Sequence, residues 1–317
     1  MLLETTRELG ASIIRRRPRY FKRDSRRKFN NIMLNLGARP IVVAKMKDGT
    51  LMRLDLRTQT ELDAYFTREF EPFWMHIVHS IYDFNSVLLD IGANIGFYTV
   101  AYANFIKKNN GSGHVVAFEV YRGNYERNLY NLRMNEVEDF CTLFNIGLSD
   151  RRREDVLTLR EDFERGSNTG NAAIATNEQF DLAHTIRKVP CKLDALDNIW
   201  HKLQDRYESI DFVKMDIEGH EDFCLEGGAK TFSAYRPTIL MEVSKDYYEA
   251  RGSGIDMDCR FLPLIPKDYL IYKSTGNKLE QIESFNVCNR VQNVLLVPRE
   301  KTELEAYKKV LIRRQHS

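Results

Sequence analysis

Two rhythms of hydrophobic and polar positions divide this chain. From residue 86 onward, short apolar runs recur with helix-length stretches between the first three: Val87 to Ile91, Val115 to Glu119, Cys141 to Ile146, Ile210 to Met215 and Thr238 to Val243. Runs apolar on both faces suit buried parallel strands, and strand–helix–strand alternation predicts a parallel sheet with helices on both faces. A last strand is expected over Val291 to Val297, closed by Pro298. The interval 147–209 is too long for one crossover. It holds two further strand-like runs, Asp155 to Arg160 and Val189 to Leu193, around a Gly/Asn-rich loop at 166–171 that includes Asn168, Gly170 and Asn171.

Upstream the texture differs. Residues 41–57 alternate on either side of Asp48-Gly49, a strong hairpin signal. Residues 58–83 are helix-like, with Pro72 interrupting that stretch or starting a second piece.

Composition adds limits. The chain has 317 residues, 43% hydrophobic, enough for a full core. No apolar run is long enough to span a bilayer, and the first residues lack the apolar segment of a secretory signal. The five cysteines are scattered and never spaced as Cys-x-x-Cys, which argues for buried thiols rather than a disulfide framework or a metal site. Charge is unevenly distributed: residues 1–47 carry +10 and the remainder −8, within a net +2. The basic end, with Arg15-Arg16-Arg17 and Arg26-Arg27-Lys28, is expected to be a solvated, poorly ordered arm over residues 1–40. Peripheral contact with an anionic membrane is the next reading, because Leu2, Leu3, Leu9, Ile13 and Ile14 lie among the charges. A cytoplasmic protein is expected.

Three segments carry chemistry. Asp90-Ile91-Gly92-Ala93-Asn94-Ile95-Gly96-Phe97-Tyr98-Thr99 follows a strand and opens a helix. Its glycines permit a sharp turn and close approach of a ligand to the main chain, and helix N–H groups then face that ligand. The spacing is D-x-G-x-N-x-G, and its aspartate suits a ligand with an amine and a sulfonium better than a pyrophosphate. Glu119, at the next strand end, is placed to accept both hydroxyls of a ribose, a device that NAD enzymes share. The third segment, Asp211 to Glu221, delivers Asp216 to a strand end with Glu218, His220 and Glu221 crowded beyond it; Glu242 interrupts the apolar fifth strand.

In order along the chain, DIGANIGFYT, VVAFEV, NIGLSD, DFVKMDIEGHE, LEGG, PTILMEV and NVLLVPR resemble the FkbM family of methyltransferases, over roughly residues 41–298. The resemblance implies an α/β, Rossmann-like class I methyltransferase fold. Its sheet would be seven-stranded and mostly parallel with helices on both faces, in a domain over 86–300. That domain would follow a hairpin and helical cap (41–85) and precede a helical tail (301–317). It implies S-adenosylmethionine as donor and a hydroxyl oxygen on a small molecule, sugar or glycolipid as acceptor. Asp90, Gly92, Ala93, Asn94, Gly96, Phe97, Thr99, Glu119, Gly147, Leu148 and Asp216 would line the donor site. Where the family often has Glu-Pro, this chain has Glu119-Val120. For the general base the candidates are His220, then Glu218, then Glu242, with Asp216 beside the transferred methyl. No metal site is predicted, although Asp216, Glu218 and Glu242 could offer oxygen ligands to Mg²⁺. The alternative is a nucleic-acid or protein methyltransferase whose basic arm binds the acceptor; an acidic remainder and the lack of an NPPY-type segment at Asp216 count against nucleic acid.

Overall fold

The structure is a computed structural model. It describes residues 2–16, 22–160, 172–174, 185–249, 256–288 and 291–311. Asn168, Gly170, Asn171 and Arg17 lie outside the described residues.

The chain begins with helices α1 (Leu2–Arg16) and α2 (Arg23–Asn35), then the hairpin β1 (Ile41–Lys45) and β2 (Leu51–Asp55), then helices α3 (Gln59–Thr67) and α4 (Pro72–Ile81). Pro72 sits at the start of α4, where its missing N–H costs nothing. The alternating part follows: β3 (Val87–Ile91), α5 (Phe97–Lys108), β4 (His114–Phe118), α6 (Arg122–Met134) and β5 (Cys141–Phe144). The insertion contains β6 (Gly147–Leu148), β7 (Arg153–Arg160), β8 (Ala172–Ile174) and β9 (Thr185–Asp194), a four-stranded sheet of order β6-β9-β7-β8. After α7 (Leu196–Trp200) come β10 (Ile210–Met215), α8 (Glu221–Gly227), α9 (Ala229–Tyr235), β11 (Thr238–Ser244), α10 (Lys245–Glu249) and α11 (Met257–Phe261). Last are β12 (Tyr269–Thr275), β13 (Lys278–Ile282), β14 (Val291–Pro298) and α12 (Glu305–Leu311).

The main sheet runs β13-β12-β14-β11-β10-β3-β4-β5. Strands β5, β4, β3, β10 and β11 are parallel; β14 is antiparallel to both its neighbours, β11 and β12. This is the expected Rossmann-like sheet of seven strands with an eighth, β13, added at the edge. Successive residues of the central strands enter opposite layers. Leu88, Val115 and Phe212 join the core under α4 and α5, whereas Leu89, Val116 and Val213 join the core with α7, α8 and α9. Burial on both faces explains the nearly continuous apolar runs.

The sequence pattern assigned no residues to β12, the seventh strand of the expected sheet, or to β13. They form a hairpin whose register runs from Ile271↔Ile282 to Thr275↔Lys278, so Gly276-Asn277 is its two-residue turn. That dipeptide between two alternating runs was the available signal.

The N-terminal segment also departs from expectation. Instead of a solvated arm, α1 and α2 pack on each other and on α3. Arg7, Ala11 and Ile14, at helical spacing, turn inward, and Arg7 donates to the Arg39 carbonyl at 2.6 Å. The ring of Phe29 in α2 fills the space beside Gly10 in α1, where a Cβ would come within 2.4 Å. Part of the basic excess is thus spent on folding.

Helix α6 ties the hairpin to the sheet through asparagines at positions 128, 131 and 135. Asn135 accepts from Leu51 N (2.8 Å) and donates to Leu51 O (2.7 Å). Asn131 accepts from Arg53 N (2.9 Å) and donates to Ile95 O (2.9 Å). The Asn131 side chain therefore bridges β2 and the turn after β3. Asn131→Ala leaves two buried main-chain groups without partners, which costs roughly 1–3 kcal/mol for each orphaned group. Urea unfolding of Asn131→Ala should show a loss of that order, against a change within about 0.5 kcal/mol for Asn109→Ala at the surface; equal small losses would remove the brace.

Candidate functional site

A cleft of about 1130 Å³, including solvent at its mouth, opens beyond the carboxyl ends of β3, β4 and β10. In parallel sheets this is where ligands bind, since helix N-termini and loops converge there.

The turn between β3 and α5 forms its floor. Gly92, Asn94 and Gly96 all have left-handed backbone, with φ of 82°, 48° and 95°. A Cβ on Gly92 would lie 1.8 Å from the Asp216 carbonyl oxygen, so only glycine lets the turn meet the end of β10. Asp216 N donates to Ile91 O at 2.9 Å and closes the same junction. Gly96 is held from behind: a Cβ there would meet Asn128 Oδ1 at 2.4 Å.

Glu119 follows β4 and is 5% exposed. It accepts from Asn94 N and Tyr121 N, both at 2.8 Å, and so fixes the glycine turn relative to β4. Burial pushes its carboxyl up to about 7, against the two N–H donors that favour the ionised form. Asp90 is fully enclosed and accepts from Thr99 Oγ1 at 2.5 Å; burial raises it as well.

Lys214 is the one cation among the described residues that line the cleft, whose carboxyl side chains are Glu61, Asp90, Glu119, Asp216 and Glu218. Its Nζ lies 2.6 Å from Asp216 Oδ2 and 5.5 Å from the ring centre of Tyr98. The carboxylates of Asp216, Glu71 and Asp90 outweigh its burial and hold it protonated. Tyr98 in turn donates to Glu71 at 2.8 Å.

Of the predicted donor-site residues, Asp90, Gly92, Ala93, Asn94, Phe97, Glu119, Gly147, Leu148 and Asp216 line this cleft, and so does Glu218. Gly96 and Thr99 stand behind its wall, Thr99 as the partner of Asp90. Glu218 has left-handed backbone (φ 56°) and accepts a hydrogen bond from Tyr247.

His220, the first candidate for the base, has different surroundings. It is 1% exposed, its Nε2 is 2.8 Å from Ser149 Oγ, and its ring lies on Phe223. The helix it precedes draws it into the protein, and it is not among the described residues lining the cleft. Glu221 serves the loop itself, accepting from Ile217 N (3.0 Å), Gly219 N (3.3 Å) and Tyr248 (2.9 Å). Glu242 also lies off the cleft wall; burial, and then the nearby charges of Asp216, Glu218 and Glu221, raise its carboxyl. No group of three or more acidic, histidine or cysteine side chains among the described residues is arranged to hold a metal ion.

Residues 90–270, more than half of the chain, match the family described as the methyltransferase FkbM domain. This chain belongs to the FkbM methyltransferase family. A search of curated proteins found no match. Among solved structures, it is similar to an FkbM methyltransferase from Methylobacillus flagellatus KT, at 19% identity and a TM-score of 0.41, covering 77% of this chain and 56% of that one. The chain thus spans little more than half the length of that relative. It is also similar to P. horikoshii TYW2 in complex with MeSAdo (13% identity, TM-score 0.36, 82% and 71% of the two chains). A third likeness is to an O-methyltransferase from Bacillus cereus in complex with SAH (11%, 0.36, 71% and 77%). These are remote likenesses, and family membership rests on the match over 90–270.

Sequence reasoning missed Lys214, Tyr98 and Asn124 at the cleft of this FkbM-family chain. Lys214 was visible as the one cation within the β10 run, and Asn124 as the first of the polar residues at 124, 128, 131 and 135 that repeat at helical spacing. Asn124 is 2% exposed, and its side-chain oxygen has no hydrogen-bond partner among the described residues.

The raised carboxyls have a consequence for stability. Glu119 and Glu221 are each pushed to about 7 by burial. Between the ordinary glutamate value and 7, the folded chain binds protons that the unfolded chain has released, so stability falls as pH rises through that window. Carboxyls held low, such as Glu300 at about 2 beside Arg236, titrate below it; His79 and His114, which burial lowers, oppose the trend up to the ordinary histidine value but are outnumbered by the raised carboxyls, which include Glu71, Asp90 and Glu242. Urea midpoints should decline from pH 5 to pH 8, less steeply in Glu221→Gln; a flat or rising profile would contradict this assignment.

Proposed function

We propose that this chain transfers a methyl group from S-adenosylmethionine to a hydroxyl oxygen of a small molecule, sugar or glycolipid. The observation that carries the reading is the buried Asn124 oxygen, without a hydrogen-bond partner among the described residues, on a cleft whose other walls are a left-handed glycine turn and five carboxyl side chains, in a chain of a methyltransferase family. A nucleoside with amine and hydroxyl donors and a cationic sulfur fits that set. Its hydroxyls would meet Glu119, its donors Asn124, and its positive groups Asp90 and Asp216.

When bound, the donor supplies a methyl group on a sulfonium sulfur. The chain's own residues hold the reactants in line and keep water out, an effect worth on the order of 7–11 kcal/mol. A hydroxyl acceptor must also lose its proton. Asp216 and Glu218 are the carboxylates at the cleft that can take it, and a positioned base contributes roughly 10²–10⁴-fold. Lys214 holds Asp216 Oδ2 in place through its 2.6 Å contact. The acceptor would lie toward Thr58, Thr60, Phe70 and Leu157, which close the cleft from the N-terminal cap and the insertion.

Calorimetric titration with S-adenosylhomocysteine tests the donor site without knowledge of the acceptor. We expect micromolar binding, weakened about tenfold in Glu119→Ala and by a smaller factor in Asn124→Ala, with no binding of NAD. Affinity should rise from pH 6 to pH 8 as Glu119 ionises and gains acceptor capacity, and Glu119→Gln should lose that dependence. Binding of NAD in place of S-adenosylhomocysteine would overturn the reading.

A further inference from the structure

Helix α1 has two apolar faces. Ala11 and Ile14 are buried against the rest of the chain, while Leu2, Leu9 and Ile13 lie on the opposite side, 81%, 64% and 50% exposed. At 100° per residue these three positions fall within about 40° of one another, so they form a row rather than a scatter. A second row, Lys28, Ile32 and Leu36, runs along α2 at four-residue spacing, and all three are exposed. Of the thirteen exposed large hydrophobic residues among those described, seven lie in the first 43 positions: Leu2, Leu9, Ile13, Ile32, Leu36, Ile41 and Val43. Folding does not account for this concentration, because the inward face of α1 already supplies its packing.

Charge accompanies the rows. Arg16, Lys22, Lys28, Arg39 and Lys45 are exposed and enter none of the ion pairs among the described residues. Helices with an aliphatic outer row beside solvated cations bind in the headgroup layer of anionic bilayers: the aliphatic side chains enter the acyl boundary and the cations stay with the phosphates. Nucleic acid would use the cations but leave the aliphatic row in water.

We propose that the outer face of α1, with the neighbouring row of α2 and the cations around them, docks the protein on an anionic lipid surface. The two helices touch at Gly10 and Phe29, and both pack on α3, at whose N-terminal end Thr58, Thr60 and Glu61 border the cleft. An acceptor held in the lipid layer is thereby brought toward the cleft. That last step rests on the methyltransferase reading; the docking does not.

The test is co-sedimentation of the full chain with vesicles of phosphatidylcholine, alone or with about 30% phosphatidylserine. The wild type should partition onto the anionic vesicles at least tenfold better than onto the neutral ones. Leu9→Glu/Ile13→Glu should lose that binding tenfold or more, and Arg16→Glu/Lys28→Glu should lose it in part, while thermal melts and S-adenosylhomocysteine affinity stay as in the wild type. Absence of binding to anionic vesicles would overturn the proposal. So would binding that Leu9→Glu/Ile13→Glu leaves unchanged, or a preference for duplex RNA over vesicles that only the arginine and lysine changes reduce. Because the affinity for S-adenosylhomocysteine is read in the same variants, a failed docking face is distinguishable from a failed donor site.

Discussion

The contact on which the rest depends is the meeting of two main chains at Gly92 and Asp216. With 1.8 Å available where a Cβ would stand, the β3 turn and the end of β10 touch without side chains between them. That closeness sets the floor of the cleft and brings Asp90 and Asp216 to one wall. It also leaves Lys214 between them as the compensating charge. A methyl group at position 92 would force the two strand ends apart, and the carboxylates would lose their common geometry along with the turn.

Around this junction the protein uses polar groups where a core would ordinarily be apolar. Asn128 and Asn131 are fully buried and each serves the glycine turn; Glu61, 3% exposed, is matched by Arg127 and by the amide of Asp55. Buried polar groups depend on their partners, and here those partners belong to elements far apart in the chain. The cap, α6 and the turn after β3 are consequently fixed to one another by directional bonds rather than by volume filling alone.

The fold was largely legible because its central strands are buried on both faces and so appear as unbroken apolar runs. Asp90, Glu119 and Asp216 were legible for a related reason, since charged residues closing such runs fall at strand ends where ligands bind. The local pattern failed where long-range packing decides the outcome. Nothing near His220 in sequence reveals that Ser149 waits to receive it, or that α8 draws it off the cleft. The fold of α1 and α2 was hidden by charge: their inward faces are short, and Arg7, the largest side chain on one of them, is a cation that finds its acceptors at Arg39 and Glu4. Lys214 looked like an exception within an apolar strand and is instead the counterweight to a cluster of acids.

The way α6 holds the hairpin bears on how this part of the molecule can vary. Asn131 and Asn135 read only main-chain atoms of Leu51 and Arg53, as a neighbouring strand would. Recognition of that kind is indifferent to side-chain identity. The outward positions of the hairpin can therefore drift freely between relatives while its attachment persists, and lineage-specific surface chemistry can accumulate on the cap without disturbing the cleft beneath it.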